Sequence, residues 1–441
     1  MNRLRLGLVL CILLGLATSA MAEVVAPTPA PKIDTGDTAW VLMGAGLVML
    51  MTPGLAFFYG GLVRKKNVLS ILMQCMMILC LVSLQWVLFG YSLAFGPDIK
   101  GFIGNLSWAG LAGVGAAPNP DYAATIPHGA FMIFQAMFAV ITPALILGAF
   151  AERMKFGAFC IFSLLWATLI YDPVAHWVWG NGGWLRAMGV QDFAGGIVVH
   201  TTAGISALAA AIFLGKRQGY PDKMSPPHNL PFAVLGAGLL WFGWFGFNAG
   251  SALAANGLAT SAFINTHTAG AAAGLAWALL DWMLLKRPTM LGMITGAVAG
   301  LAAVTPAAGF VTPMGAIGIG IGASTLCWIF VSLVKAKLGY DDSLDAFGVH
   351  GIGGMWGVLA TGLWATNLVN PASASGLFAG GAGLLKVQLL AIGVVVVTAF
   401  AGTLILLKVV DAAVGLRVTD HEERVGLDLT QHREAGYTLV D

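Results

Sequence analysis

No aspartate, glutamate, lysine or arginine interrupts residues 224–280, and charge-free runs also span 38–63, 67–97, 122–151 and 288–334. A chain in water cannot bury so much continuous apolar sequence. A bilayer core about 30 Å thick takes a helix of about 20 apolar residues. The runs are too long and too unbroken for the in–out alternation of a membrane barrel. Only 10% of the residues are charged and 58% are hydrophobic, against about 25% charged in a soluble domain. The fold class read from this is an all-α polytopic membrane protein. Its 59 glycines are small residues that let helices approach closely in lipid. A net charge of +2 carries no signal for nucleic acid. The cysteines are scattered through apolar runs, so no disulfide, metal site or cofactor is expected.

Residues 1–22 read as a cleaved signal peptide: Arg3 and Arg5, an apolar stretch from Leu6, then Ala20-Met21-Ala22. Eleven membrane helices are expected near 39–63, 67–95, 127–151, 156–179, 193–215, 230–251, 260–285, 289–308, 313–336, 347–367 and 384–410. Alternate loops are basic: Arg64 to Lys66, Arg153 with Lys155, Lys216 with Arg217, Lys286 with Arg287, Lys335 with Lys337. The others carry only Lys100 and Arg186, with Lys386 at an edge. The positive-inside rule then puts the mature N-terminus outside and the tail, 411–441, in the cytoplasm. The glycine-punctuated tail reads as a segment that docks.

Three matches recur in the same order along the two halves. They are Val41-Leu-Met-Gly-Ala-Gly with Val234-Leu-Gly-Ala-Gly, Thr142-Pro143-Ala with Thr305-Pro306-Ala, and Val199-His200 with Val349-His350. Five helices per half is an odd number, so the halves, about 38–215 and 230–367, are inverted repeats, with the last helix outside them. A functional site is expected near the midplane where such repeats meet.

Ionisable groups at membrane depth are costly and read as functional by default. His200 and His350 each lie inside an apolar helix, and the repeat pairs them. Burial favours neutral imidazoles, and two neutral rings can share one N–H···N hydrogen bond. Zinc does not suit the pair, because no carboxylate or thiol is evident beside it. His176 and His267 read as structural hydrogen-bonding residues. Asp192 precedes a helix and can cap its N–H groups or bind a cation directly; Asp172 could do either job. Aromatic clusters at Phe134-Gln135-Ala-Met-Phe138, Trp177-Val-Trp179 and Trp244-Phe-Gly-Phe247 form either an interfacial belt or a cage for a small cation.

Glu152-Arg153, Ala175-His-Trp-Val-Trp179-Gly, Asp192 to His200, Trp244 to Ser251, Asp345-Ala-Phe-Gly-Val-His350-Gly and Val414-Gly-Leu-Arg417-Val resemble the ammonium transporter (Amt/Mep/Rh) family, its bacterial Amt branch most closely. The resemblance spans about residues 38–437. It implies a homotrimer in the bacterial inner membrane with one pore per subunit. It further implies an outer ammonium site of Trp179, Phe134, Phe138 and Ser251, a gate of Phe138 and Phe247, and a pore and proton relay at His200 and His350. Asp192 and Gln135 would shape the site, and a PII-family regulatory protein would bind the cytoplasmic face. One extra residue between Trp179 and Asp192 departs from the family pattern. The function implied is deprotonation of captured ammonium and conduction of ammonia, with separate proton transfer. The alternatives are a neutral ammonia or carbon dioxide channel of the Rh type, and an ammonium sensor acting through a PII protein. An enzyme is not expected, for want of a nucleophile–base pair, metal constellation or phosphate loop.

Overall fold

The computed structural model describes residues 32–223 and 225–437; the expected signal peptide lies outside them. The helices are α1 (Thr35–Leu62), α2 (Lys65–Phe95), α3 (His128–Phe150), α4 (156–179), α5 (Gly196–Leu214), α6 (Leu230–Gly250), α7 (Gly257–Leu285), α8 (Met290–Val304), α9 (Pro313–Leu338), α10 (347–364) and α11 (Ala382–Val414). Among the described residues, nine helices are long and apolar enough to cross a membrane. The two expected spans outside that set are α8, which is apolar but shorter, and α10, which carries His350. The eleven expected crossings thus stand at nine by length and composition alone. Two small antiparallel ribbons lie in the connection between α2 and α3.

The repeat-related helices pack against each other. A Cβ built on Gly44 of α1 would meet Gly246 and Gly250 of α6, one on Gly54 would meet Leu239 and Leu240, and one on Gly61 would meet Asn229 and Ala233. The partner numbers fall as the α1 numbers rise, so the two helices run antiparallel. The same holds for α5 and α10, where Gly204 abuts Gly351 and Gly354 abuts His200 and Thr201. Antiparallel contact between equivalent helices is what inverted repeats produce. At Gly204 a Cβ would lie 2.0 Å from the Gly351 nitrogen, so any side chain there would force α5 and α10 apart. Nearly all of α3 is buried between these pairs.

Three of the basic loops, through Arg64, Arg153 and Arg217, converge on one buried ionic network. Glu152 accepts from the Arg64 backbone N–H (2.8 Å) and Nε (2.9 Å), Asn67 Nδ2 (2.8 Å) and Arg217 Nη1 (3.1 Å). Arg217 also pairs with Asp341 (2.8 Å), and Asp341 with the fully buried Arg153 (3.0 Å). The tail docks on the same loops. Arg417 donates to the carbonyls of Leu214 (2.7 Å) and Lys216 (2.6 Å) and pairs with Glu423 (2.9 Å). Asp428 accepts from the Leu69 (3.1 Å) and Ser70 (2.8 Å) N–H groups, and Tyr437 meets His228 (2.9 Å).

Burial pushes the Glu152 carboxyl up, but Arg64 and Arg217 outweigh it and hold it below the ordinary carboxylate range. A depressed carboxylate stabilises the fold above its unfolded value, about 4.3, and that contribution is lost as pH falls through the folded value. Glu152→Gln is therefore expected to cost about 3 kcal/mol at pH 7, the low end for breaking a buried pair, because Arg217 keeps Asp341. Thermal unfolding in detergent should show a lower melting temperature at pH 7 and a shallower fall below pH about 4 than the parent. Equal acid limbs would remove Glu152 from the network's pH response.

Candidate functional site: two cavities joined through a histidine pair

One cavity of about 440 Å³ is lined by Gln135, Phe138, Trp179, Asp192 and Ser251, with Arg186 and Asp121 also on its wall. Sequence-expected residues from α3, α4, the C-terminal end of α6 and the loop before α5 thus meet in one place. Phe134 does not join them. It is fully buried behind Phe138, ring centroids 5.0 Å apart, and packs on Gly44 and Gly250 where α1 and α6 touch. The glycines leave a hole that a phenyl ring fills, so Phe134 supports Phe138 rather than facing the cavity.

Trp179 stands edge-on to Phe138, centroids 5.9 Å apart at 88°. Its indole Nε1–H donates to the Asp192 carbonyl (2.8 Å). Ser251 donates its hydroxyl to the Phe247 carbonyl (2.8 Å), leaving its lone pairs available. The Gln135 Oε1 is buried without a partner. A cation here would meet ring faces and acceptor oxygens.

The Asp192 carboxylate accepts four backbone N–H groups, from Gly195 (2.9 Å), Gly196 (2.6 Å), Ile197 (2.8 Å) and Val198 (3.1 Å). These are the free donors at the start of α5. Of the two readings open from sequence, capping is the one this geometry describes. Gly195, at φ +113°, makes the turn, and a Cβ there would strike Val199 at 2.6 Å. Gln388 of α11 holds the preceding residue, donating to the Gln191 carbonyl (2.7 Å) and accepting its N–H (3.0 Å). The helix outside the repeat thereby fixes the loop that carries Asp192. Sequence reasoning passed over Gln388.

Phe138 lines this cavity, and the ring of Phe247 lies against it, centroids 4.2 Å apart and tilted by 32°. Beyond it lies a passage of about 10 Å³ lined by Phe247, Trp244, His200, His350 and aliphatic side chains. That is room for about one water-sized molecule. The imidazoles are parallel, centroids 5.3 Å apart at 13°, with Trp244 stacked on His200 at 5.4 Å. Both His200 nitrogens and His350 Nδ1 are buried without a hydrogen-bond partner. The expected N–H···N bond between the rings is therefore absent. The close glycine crossings of α5 and α10, with Trp244 stacked on His200, hold the two ring planes parallel. Each histidine sits in a π-helical turn that opens its helix, Gly196–Thr201 and Phe347–Gly351; such turns recur at functional sites. His350 also lines a second cavity of about 500 Å³, whose walls include Arg64, Glu152, Arg217 and Asp345.

Asp342 was missed from sequence. It stands eight residues before His350, as Asp192 stands eight before His200, and one oxygen accepts the Phe347 N–H (2.8 Å) that opens α10. That shared spacing was the available signal. Burial and the neighbouring Asp345 push its carboxyl up to about 6. His176 makes the expected structural bonds, to the Ala94 carbonyl (2.9 Å) and Asp98 (2.8 Å). His267 lies instead on the exposed face of α7, against Trp241. Asp172 is buried and accepts from Gln85 (2.7 Å), away from both cavities.

A multi-pass helical membrane protein with two cavities, an aromatic partition and a narrow, apolar passage between them has the form of a transporter or channel for a very small polar solute. The Ammonium Transporter Family model matches residues 39–437, and the chain belongs to that family. It is 56% identical to an ammonium transporter of Bacillus subtilis (strain 168), over 92% of this chain and 99% of that one. Its fold matches the crystal structure of Saccharomyces cerevisiae Mep2 with a TM-score of 0.84 at 36% identity, covering 88% of this chain and 89% of Mep2. It also matches a solved structure described as a "Sensor Amt Protein", with a TM-score of 0.83 at 32% identity, covering 90% and 98%. The protein is a membrane transporter of the ammonium transporter family.

Proposed function

We propose that the chain captures ammonium in the Trp179 cavity from outside a bacterial inner membrane, releases its proton, and conducts ammonia past His200 and His350 to the cytoplasmic cavity. The observation that carries this reading is the passage itself: narrow, apolar, and furnished with imidazole nitrogens that no protein group occupies. A small bare cation moved into such a medium costs on the order of 20 kcal/mol before relaxation. Deprotonating an amine-like acid at pH 7 costs roughly 3–4 kcal/mol. The neutral molecule is the one that crosses. Its proton travels separately, with the histidine pair as part of the relay. The protein works as a homotrimer, N-terminus outside, with a PII-family protein binding the face where the tail docks.

The test is current from proteoliposomes on a solid-supported membrane after a step of ammonium chloride. A saturable current, absent from empty liposomes, is the expected result. No current, with fast ammonia influx reported by an internal pH dye, would assign the protein to the neutral-channel class. The likeness to a sensor and the docked tail favour a second reading, ammonium sensing through a PII protein. That reading predicts ammonium-dependent PII binding with negligible transport.

A further inference from the structure

The loops on the Trp179 side hold almost no base, yet one of the few, Arg186, lies on the wall of the cavity proposed to gather cations. A fixed positive charge there opposes ammonium, so its presence needs another reason. The geometry supplies one. Trp179 is the last residue of α4, and a helix C-terminus leaves its final carbonyls without intrahelical partners. Arg186 Nη1 donates to the Trp179 carbonyl at 2.7 Å, where a cation is also favoured by the helix dipole. The other end of the same residue is tied by its indole Nε1–H to the Asp192 carbonyl at 2.8 Å. Trp179 is thus held at backbone and ring.

The arginine is itself well placed to act as a fixed point. It sits in a single helical turn, Trp184–Ala187. The Trp184 N–H donates to the Gly101 carbonyl (3.1 Å), and the Val190 N–H donates to Leu185 (3.1 Å). Gly183 packs so closely on the end of α4 that a Cβ would come 2.0 Å from the His176 carbonyl oxygen. The turn cannot slide without breaking these contacts.

We propose that Arg186 is a positioning residue for the cation site: by holding the Trp179 carbonyl it fixes the angle at which the indole faces the cavity. The proposal rests on the reading of that cavity as the ammonium site. Loss of one solvent-exposed hydrogen bond predicts a change of about fivefold to tenfold in apparent affinity. The guanidinium's direct repulsion of ammonium acts in the opposite sense, and it is exposed to solvent and screened within about 8 Å at physiological ionic strength. The sign of the effect therefore separates the two roles.

The experiment measures ammonium-evoked current against concentration, at raised ionic strength, for Arg186→Met, Arg186→Lys, Trp179→Leu and the double variant R186M/W179L. R186M is expected to raise the half-saturating concentration about fivefold to tenfold, with maximal current within about twofold because gate and histidines are untouched. R186K, which keeps a charged donor, should recover most of the affinity. In the W179L background R186M should add nothing, since its effect runs through the indole. An unchanged or lower half-saturating concentration in R186M, or multiplying effects in the double variant, would overturn the proposal. If W179L alone leaves affinity unchanged, the reading of the cavity fails instead. Melting temperature and oligomer size in detergent report folding. Should R186M lose folded protein, Arg186→Gln is read on the same scale.

Discussion

Replacing both His200 and His350 with leucine is expected to abolish the ammonium-evoked current, while either single replacement leaves a measurable fraction. Both rings are fully inside the protein, in a passage with room for about one water-sized molecule. Their free nitrogens are the polar groups a solute can use there. Each imidazole removed leaves the solute short of a hydrogen bond worth about 1.5 kcal/mol in a buried site. Two such losses correspond to on the order of 100-fold in rate. The proton relay is removed at the same time. Uptake seen with an internal pH dye separates the two consequences. Residual ammonia influx without current would mean that the passage still conducts and that only the relay has gone. A double variant with parental current would remove the histidines from charge movement altogether.

The helix spans and the pairing of the two histidines were legible because both depend on pattern. Apolar length fixes a membrane helix, and a repeat preserves the order of its landmarks. The contact of α5 with α10 follows from glycines that sequence shows, Gly204 and Gly351 among them. What could not be read was orientation within those contacts. Two buried imidazoles can meet at many angles, and the parallel planes go with Trp244 stacked on His200 and with how closely the glycines let the helices cross. Phe134 and Phe138 are one helical turn apart on α3, and both looked equally able to face a cation. Only the hollow left by Gly44 and Gly250 sends one of them inward.

Long-range polar partners were illegible for a different reason. Gln388 and Gln191 are far apart in sequence, and a lone glutamine in an apolar helix announces no partner. Asp342 is a nearer miss, since its spacing to His350 copies that of Asp192 to His200. The copy is imperfect in structure. Asp192 has both oxygens bonded to backbone N–H groups, whereas Asp342 leaves one oxygen unpartnered. The starts of α5 and α10 therefore differ in how firmly they are capped, a difference invisible to pattern matching.

Replacing Asp192 tests whether its carboxylate caps a helix or binds the cation. Asp192→Ala is expected to eliminate transport and to destabilise the protein by about 4 kcal/mol or more. Four N–H groups would lose their acceptor inside a buried helix end, and each unsatisfied buried donor costs about 1–3 kcal/mol. The loss reaches the site because the Asp192 carbonyl holds the Trp179 ring. Asp192→Asn is the discriminating change. Asparagine caps helices nearly as well as aspartate, but here its amide nitrogen would face two of the N–H donors, so about half the bonds survive. A capping role therefore predicts intermediate stability and reduced maximal current, with half-saturating ammonium close to the parental value. A direct cation contact predicts the converse: near-parental stability with affinity lost, because the charge has gone while the shape remains. Melting temperature and concentration dependence, measured on the same preparation, distinguish these outcomes. Four short backbone hydrogen bonds leave the carboxylate little capacity for a further ligand, which places the expected result on the capping side.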